Sequence, residues 1–283
     1  MPTPTEHLRV RARRIVEEAR RLVPLRAALL AGSAGRGDAD FYSDIDLLLY
    51  VDELPTDETV AAVRDVVGGT DPSGKERTEQ ACGEEFDLDG VHAEMVFFKV
   101  REFEARLDDL LDRLVDFDAP TQKILMGLAE GLALEGADLI ERWRARVSDF
   151  PEPLRRAMIE RYWTFFPLWY YTDVLAERDA ELWRLDVLVE AAFNLLGVLS
   201  ALNRLYFTRF ELKGMRAMIG KMELAPVGLA DRVESLFDLE PSAAAGQLGR
   251  LVEETRALVL RELPDLDLPL PHPPGTQKEP WSL

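Results

Sequence analysis

Two short apolar runs, residues 25–31 and 45–51, are joined by a stretch rich in Gly and Asp, and the residues at their junctions constrain the fold most. The first run ends in Gly32-Ser33, and the second is entered through Asp44-Ile45-Asp46. Apolar runs of this length bounded by turn residues read as buried strands of one sheet. A strand closing on Gly-Ser lets backbone amides and a hydroxyl approach an anion that a bulkier residue at Gly32 would hold off. On the second strand a period of two puts the Asp44 and Asp46 carboxylates on one face and turns Ile45 to the other. Two hard oxygen donors at a strand start suit Mg²⁺, which is usually held by one or two carboxylates together with substrate phosphates. Either element alone is most often a solvated turn. Their joint spacing carries the information.

The surrounding pattern predicts a mixed sheet with flanking helices. Leu8, Ala12, Ile15, Val16, Ala19 and Val23 recur at helical spacing, giving an opening helix over 6–23. Residues 59–67 read as a helix and 68–79 as a loop. Residues 85–89, the Asp89-Gly90 turn and residues 91–100 read as a hairpin. Beyond Arg101 the period is helical over 103–115, 121–134, 154–176, 180–206 and 243–263. The sequence Asp149-Phe150-Pro151-Glu152-Pro153 interrupts it and marks a boundary. The expected organisation is an α+β domain over 1–148, an all-helical domain over 151–262 and a Pro-rich extended tail over 263–283.

Charge and composition exclude several classes. With 34 Lys and Arg against 52 Asp and Glu, the net charge of −18 repels phosphate backbones and disfavours nucleic acid as a partner. Residues 31–120 hold 8 basic and 24 acidic side chains, a balance suited to divalent cations or a cationic substrate. Cys82 is the only cysteine and there are 3 histidines, so metal chemistry must rest on carboxylates, and a reducing cytoplasmic location is expected. Arginines interrupt the opening apolar runs, unlike a signal peptide, and no uninterrupted apolar stretch of membrane-spanning length is expected.

Gly32-Ser33, ten intervening residues, and Asp44-Ile45-Asp46 followed by Leu47, Leu48 and Leu49 resemble the signature of the DNA-polymerase-β-like nucleotidyltransferase superfamily. The resemblance implies a third carboxylate on a later strand, and Glu94 matches it, flanked by Ala93 and Met95. A lone Glu among apolar strand residues is costly unless paired or bound to a cation. Asp87 and Asp89 lie nearer the turn and suit a solvated role, and His92 shares Glu94's face by alternation. The implied chemistry is transfer of a nucleoside monophosphate from ATP or another nucleoside triphosphate, with Mg²⁺ on Asp44, Asp46 and Glu94. Glu94 is either the general base for the acceptor hydroxyl or only a metal ligand. Ser33 and Ser43 would then contact phosphates.

In the helical half, Asp186, Glu190 and Asn194 recur one turn apart, either as a solvated face or as a stripe that attracts ammonium groups. The layout is similar to the spectinomycin and streptomycin adenylyltransferases. That likeness implies Lys213, or Lys221 in its place, on the triphosphate with help from Arg204. It also implies a cationic, hydroxyl-bearing acceptor on Asp186 and Glu190 with Trp183 stacking beside it. A protein or RNA acceptor, or a non-catalytic nucleotide-binding module, are the alternatives. The aromatic run from Tyr162 to Tyr171 exceeds one helix face and lines either a core or dimer interface or a ligand cleft.

Overall fold

The computed structural model describes residues 2–115, 119–175 and 178–270. The chain divides into two compact units, Met1–Phe150 and Pro151–Leu283. The first has the order α1 (Pro4–Leu22), β1 (Leu25–Leu30), α2 (Gly32–Arg36), β2 (Ile45–Val51), α3 (Asp57–Val66), β3 (Thr70–Arg77), β4 (Ala81–Leu88), β5 (Val91–Lys99), α4 (Val100–Leu111), α5 (Ala119–Glu130), β6 (Leu132–Glu135) and α6 (Ala137–Ser148). Its six strands form one mixed sheet in the order β3-β4-β5-β2-β1-β6. Only β2 and β5 pair in parallel; the other neighbours are antiparallel.

A capping box starts α1: the Glu6 amide donates to Thr3 Oγ1 at 3.2 Å, and the Thr3 amide donates to Glu6 Oε2 at 2.8 Å. The helix buries Leu8, Ala12, Ile15, Val16 and Ala19, the residues its period singled out. They pack with α3 against the face of the sheet that carries Ile45, Leu47, Leu49, Ala93, Met95 and Phe97. By alternation the opposite face carries Asp46, Leu48 and Tyr50 from β2. At its far end Tyr50 packs against Phe103 of α4 and Trp143 of α6, with ring centroids 4.8 and 4.7 Å apart. A buried ion pair joins α3 to β4, Arg64 donating to both Glu84 carboxylate oxygens at 3.2 Å.

Two strands depart from the sequence expectation. Residues 68–79, expected as a loop, contain β3, every residue of which is exposed. With no apolar alternation, and with Asp71 and Gly74 at positive φ, this strand exists through pairing with β4 and not through its own pattern. The helix expected over 121–134 stops at Glu130, and β6 follows as the edge strand beside β1. Arg144 of α6 caps that helix end, donating to the carbonyls of Leu128 at 3.1 Å and Gly131 at 2.7 Å.

The second unit is helical: α7 (Glu152–Tyr162), α8 (Leu168–Tyr170) running into a π turn (Tyr171–Leu175), α9 (Glu181–Leu202), α10 (Met215–Ile219), α11 (Leu229–Glu234) and α12 (Pro241–Glu262). The single helix expected over 154–176 is broken after Tyr162, because Pro167 cannot continue a helix and biases Phe166 out of it. Tyr162 reaches across to Phe193 and Phe207, and Gly197 admits it: a Cβ there would stand 2.6 Å from the Tyr162 ring. By length and apolar content α9 would be able to cross a bilayer, although Asp186, Glu190 and Asn194 interrupt its apolar run. Its second half, Leu195 to Leu202, is wholly buried in this unit, which accounts for that composition. The start of the Pro-rich segment is strapped down by Arg256 donating to the Leu268 carbonyl and Trp163 Nε1 donating to the Pro269 carbonyl, at 2.6 and 2.8 Å. Pro271, Pro273, Pro274 and Pro280 lie outside the described residues.

The Tyr50 hydroxyl is buried without a hydrogen-bond partner among the described residues, and burial pushes its phenol above the ordinary range. Tyr50→Phe is expected to stabilise the fold by about 1 kcal/mol. Urea unfolding of the full chain measures this, and a lower midpoint in the variant would show that the hydroxyl is satisfied.

Candidate active site

The site is built where β1 ends and β2 begins. The Ala31 amide donates to the Asp46 carbonyl at 2.9 Å, bringing the Gly32-Ser33 turn against the start of β2. Gly32 has φ +60, and a Cβ on it would stand 1.9 Å from Asp46 Oδ2. The carboxylate therefore occupies the space a side chain would take, and glycine is required both for the backbone conformation and for the close approach. Ser33 opens the α2 turn, and its carbonyl accepts from the amides of Gly37 and Asp38 at 2.9 and 3.1 Å.

The turn is held from α1. Arg9 donates through Nε to the Ala34 carbonyl at 2.9 Å and through Nη2 to the Gly35 carbonyl at 2.8 Å. Thr5 Oγ1 accepts from the Ala39 amide at 3.2 Å. Further along, Asp40 organises a tight turn: its Oδ1 accepts from the Tyr42 amide and from the Ser43 hydroxyl, each at 2.9 Å. Those two donors hold the Asp40 carboxyl below the usual carboxylate range. The Ser43 hydroxyl, expected on a phosphate, is thus engaged in the loop itself.

The β2–β5 register sets Asp46 directly beside Glu94, and the β4–β5 register sets Glu85 on Glu94's other side. Three carboxylates form a row across adjacent strands, with Asp44 exposed one residue before β2. Burial raises the Glu94 pKa; Lys123 of α5 pulls it back, while Asp46, Glu85 and Asp44 push it further up. His92 lies 3.6 Å from both Glu85 and Asp87. Among the described residues no three His, Cys, Asp or Glu side chains converge as a metal cage. Asp44, Asp46 and Glu94 are therefore not a ready-made three-carboxylate centre. Carboxylates brought that close repel one another, an effect already felt by Glu94. The donor chemistry fits an open site instead, with Asp44 and Asp46 as hard ligands completed by substrate oxygens.

Sequence reading missed Arg9, Thr5, Glu85 and Lys123. Glu85 was accessible from the alternation of β4, whereas Arg9 and Lys123 reach the site only through the packing of helices remote in sequence.

In the helical unit Asp186 and Glu190 are exposed on the first half of α9, and neither forms an ion pair among the described residues. Asn194 does not continue their stripe. It is buried and donates to the Thr164 carbonyl at 2.7 Å, satisfying the break after α7. Trp183 is half exposed and packs against Phe166 and Tyr170, with centroids 5.9 and 6.0 Å away. Arg204 pairs with Glu152 at 3.1 Å, Lys213 is exposed near the end of a 3₁₀ turn (Arg209–Gly214), and Lys221 is exposed.

Residues 12–119 match the family model of the nucleotidyltransferase domain, so the first unit carries such a domain. No curated protein matches the chain. A solved structure of a nucleotidyltransferase-like protein from Exiguobacterium sibiricum aligns at 12% identity with a TM-score of 0.39, covering 85% of this chain and 74% of that one. A superposition that loose carries no argument.

Because Glu94 binds its proton more tightly in the folded chain than in the unfolded one, its contribution to stability is fullest below the ordinary glutamate range. That contribution is lost as pH rises through the raised value. Glu94→Gln is expected to raise the Tm near pH 8 and to lose that advantage on acidification to about pH 4. Thermal unfolding at the two pH values checks the sign.

Proposed function

We propose that the protein transfers a nucleoside monophosphate, AMP from ATP as the leading case, to a hydroxyl of a small cationic acceptor of the amino-sugar type. The observation that carries the reading is the Asp46–Glu94 pair, in register on neighbouring parallel strands beside a Gly32 that admits the Asp46 carboxylate. The nucleotidyltransferase-domain match over residues 12–119 supports the same chemistry. Asp44 and Asp46 would hold Mg²⁺, which when bound neutralises charge on the triphosphate. Backbone amides at Gly32-Ser33 face the phosphates. Glu94, whose burial and acidic neighbours raise its affinity for a proton, accepts the proton of the acceptor hydroxyl as it attacks the α-phosphorus. The bond between the α-phosphorus and the oxygen bridging to the β-phosphate breaks, and pyrophosphate leaves with that oxygen.

For the acceptor, support comes from Asp186 and Glu190, one helical turn apart and exposed, with Leu182, Trp183 and Leu185 exposed around them. Carboxylates on such a partly apolar surface attract ammonium groups.

Incubation of the full chain with Mg²⁺, each labelled nucleoside triphosphate and a panel of amino-sugars, read as pyrophosphate release and product mass, tests the reaction. Asp44→Asn and Asp46→Asn are each expected to lower turnover by about three orders of magnitude with the Tm preserved. Full turnover in either would remove the carboxylate assignment. Asp186→Ala with Glu190→Ala is expected to raise KM for the acceptor about tenfold with kcat retained. An unchanged KM would place the acceptor elsewhere.

A further inference from the structure

Phe41 and Tyr42 are 91% and 98% exposed, more than any other large apolar side chain among the described residues. They do not sit on a frayed segment. The Tyr42 amide and the Ser43 hydroxyl both donate to Asp40 Oδ1, the Asp40 amide donates to Ser43 Oγ at 3.0 Å, and the Ala39 amide is tied to Thr5. The chain thus spends conformational order to hold two adjacent rings in water, where burying them would be favourable.

Their position specifies the occupant. The loop runs from the α2 turn to Asp44, and Tyr42 precedes Asp44 by two residues, which a chain spans in at most about 7 Å. A group that reaches this tip while its phosphates lie at Gly32-Ser33 and the carboxylates must be joined to those phosphates and must present a flat π face. A nucleobase does both, while an amino-sugar has no such face. The patch is two rings wide, with the exposed Asp38 and Asp40 beside it, far smaller than the apolar core of a protein–protein interface. We propose that Phe41 and Tyr42 form the stacking platform for the base of the bound nucleotide, an inference that rests on the nucleotidyl-transfer reading of the same site.

The test is calorimetric titration of the full chain, in Mg²⁺, with α,β-methylene-ATP and separately with inorganic tripolyphosphate. Phe41→Ala with Tyr42→Ala is expected to weaken the nucleotide analogue about ten- to a hundredfold and to leave tripolyphosphate unchanged. Equal weakening of both probes, or no weakening of the analogue, overturns the platform. Tyr42→Trp keeps an aromatic surface and adds an optical signal: the analogue should quench its fluorescence and tripolyphosphate should not, and absence of quenching counts against stacking. A wild-type chain that binds neither probe removes the nucleotidyl-transfer reading together with this one. Wild-type binding that the variants leave intact removes the platform alone.

Discussion

The parallel pairing of β2 with β5 is the constraint on which the first unit depends. It sets Asp46 beside Glu94 and, four residues along the same face, Tyr50 beside Phe98. A slip of one residue would turn Glu94 to the α1 side and expose Met95 and Phe97, because side chains alternate with a period of two. The aromatic cluster of Tyr50, Phe98, Phe103 and Trp143 therefore holds the carboxylates in register from the other end of the sheet. Core packing and site geometry are one constraint here.

Around that register the protein accumulates charge that does not help it fold. Burial raises the Glu94 pKa, Lys123 opposes it, and Asp46, Glu85 and Asp44 add to it. Contacts nearby hold the surrounding structure: the Arg9 clamp on the carbonyls of the α2 turn, the Thr5 contact with Ala39, and the buried Arg64–Glu84 pair that joins α3 to β4. In the proposed reaction a bound cation would supply the positive charge that this acidic row lacks.

The helical unit shows the same separation of packing from surface chemistry. The second half of α9 is core, keyed by Gly197 beneath Tyr162, and its one buried amide, Asn194, is consumed by the chain break at Thr164. The first half keeps Val187 and Leu188 buried and exposes Asp186, Glu190 and Trp183. A polar residue at helical spacing is thus read correctly only once the neighbour it faces is known.

Local pattern made much of this protein legible. The buried face of α1, the strand ending in Gly32-Ser33, the entry through Asp44 and Asp46, and Glu94 within an apolar strand all follow from periods of 3.6 and 2 and from turn chemistry, which act over a few residues. The exposed edge strand β3, the conversion of 132–135 into β6, and the break before Pro167 were decided or refined by partners elsewhere in the chain. The same holds for Glu85 beside Glu94, the field of Lys123, and the Arg9 clamp reaching 26 residues to Gly35. Sequence alone determined which residues have the chemistry for the site. Tertiary structure decided which of them meet, because strand register and helix packing are set by burial summed over distant segments, a quantity that no local window contains.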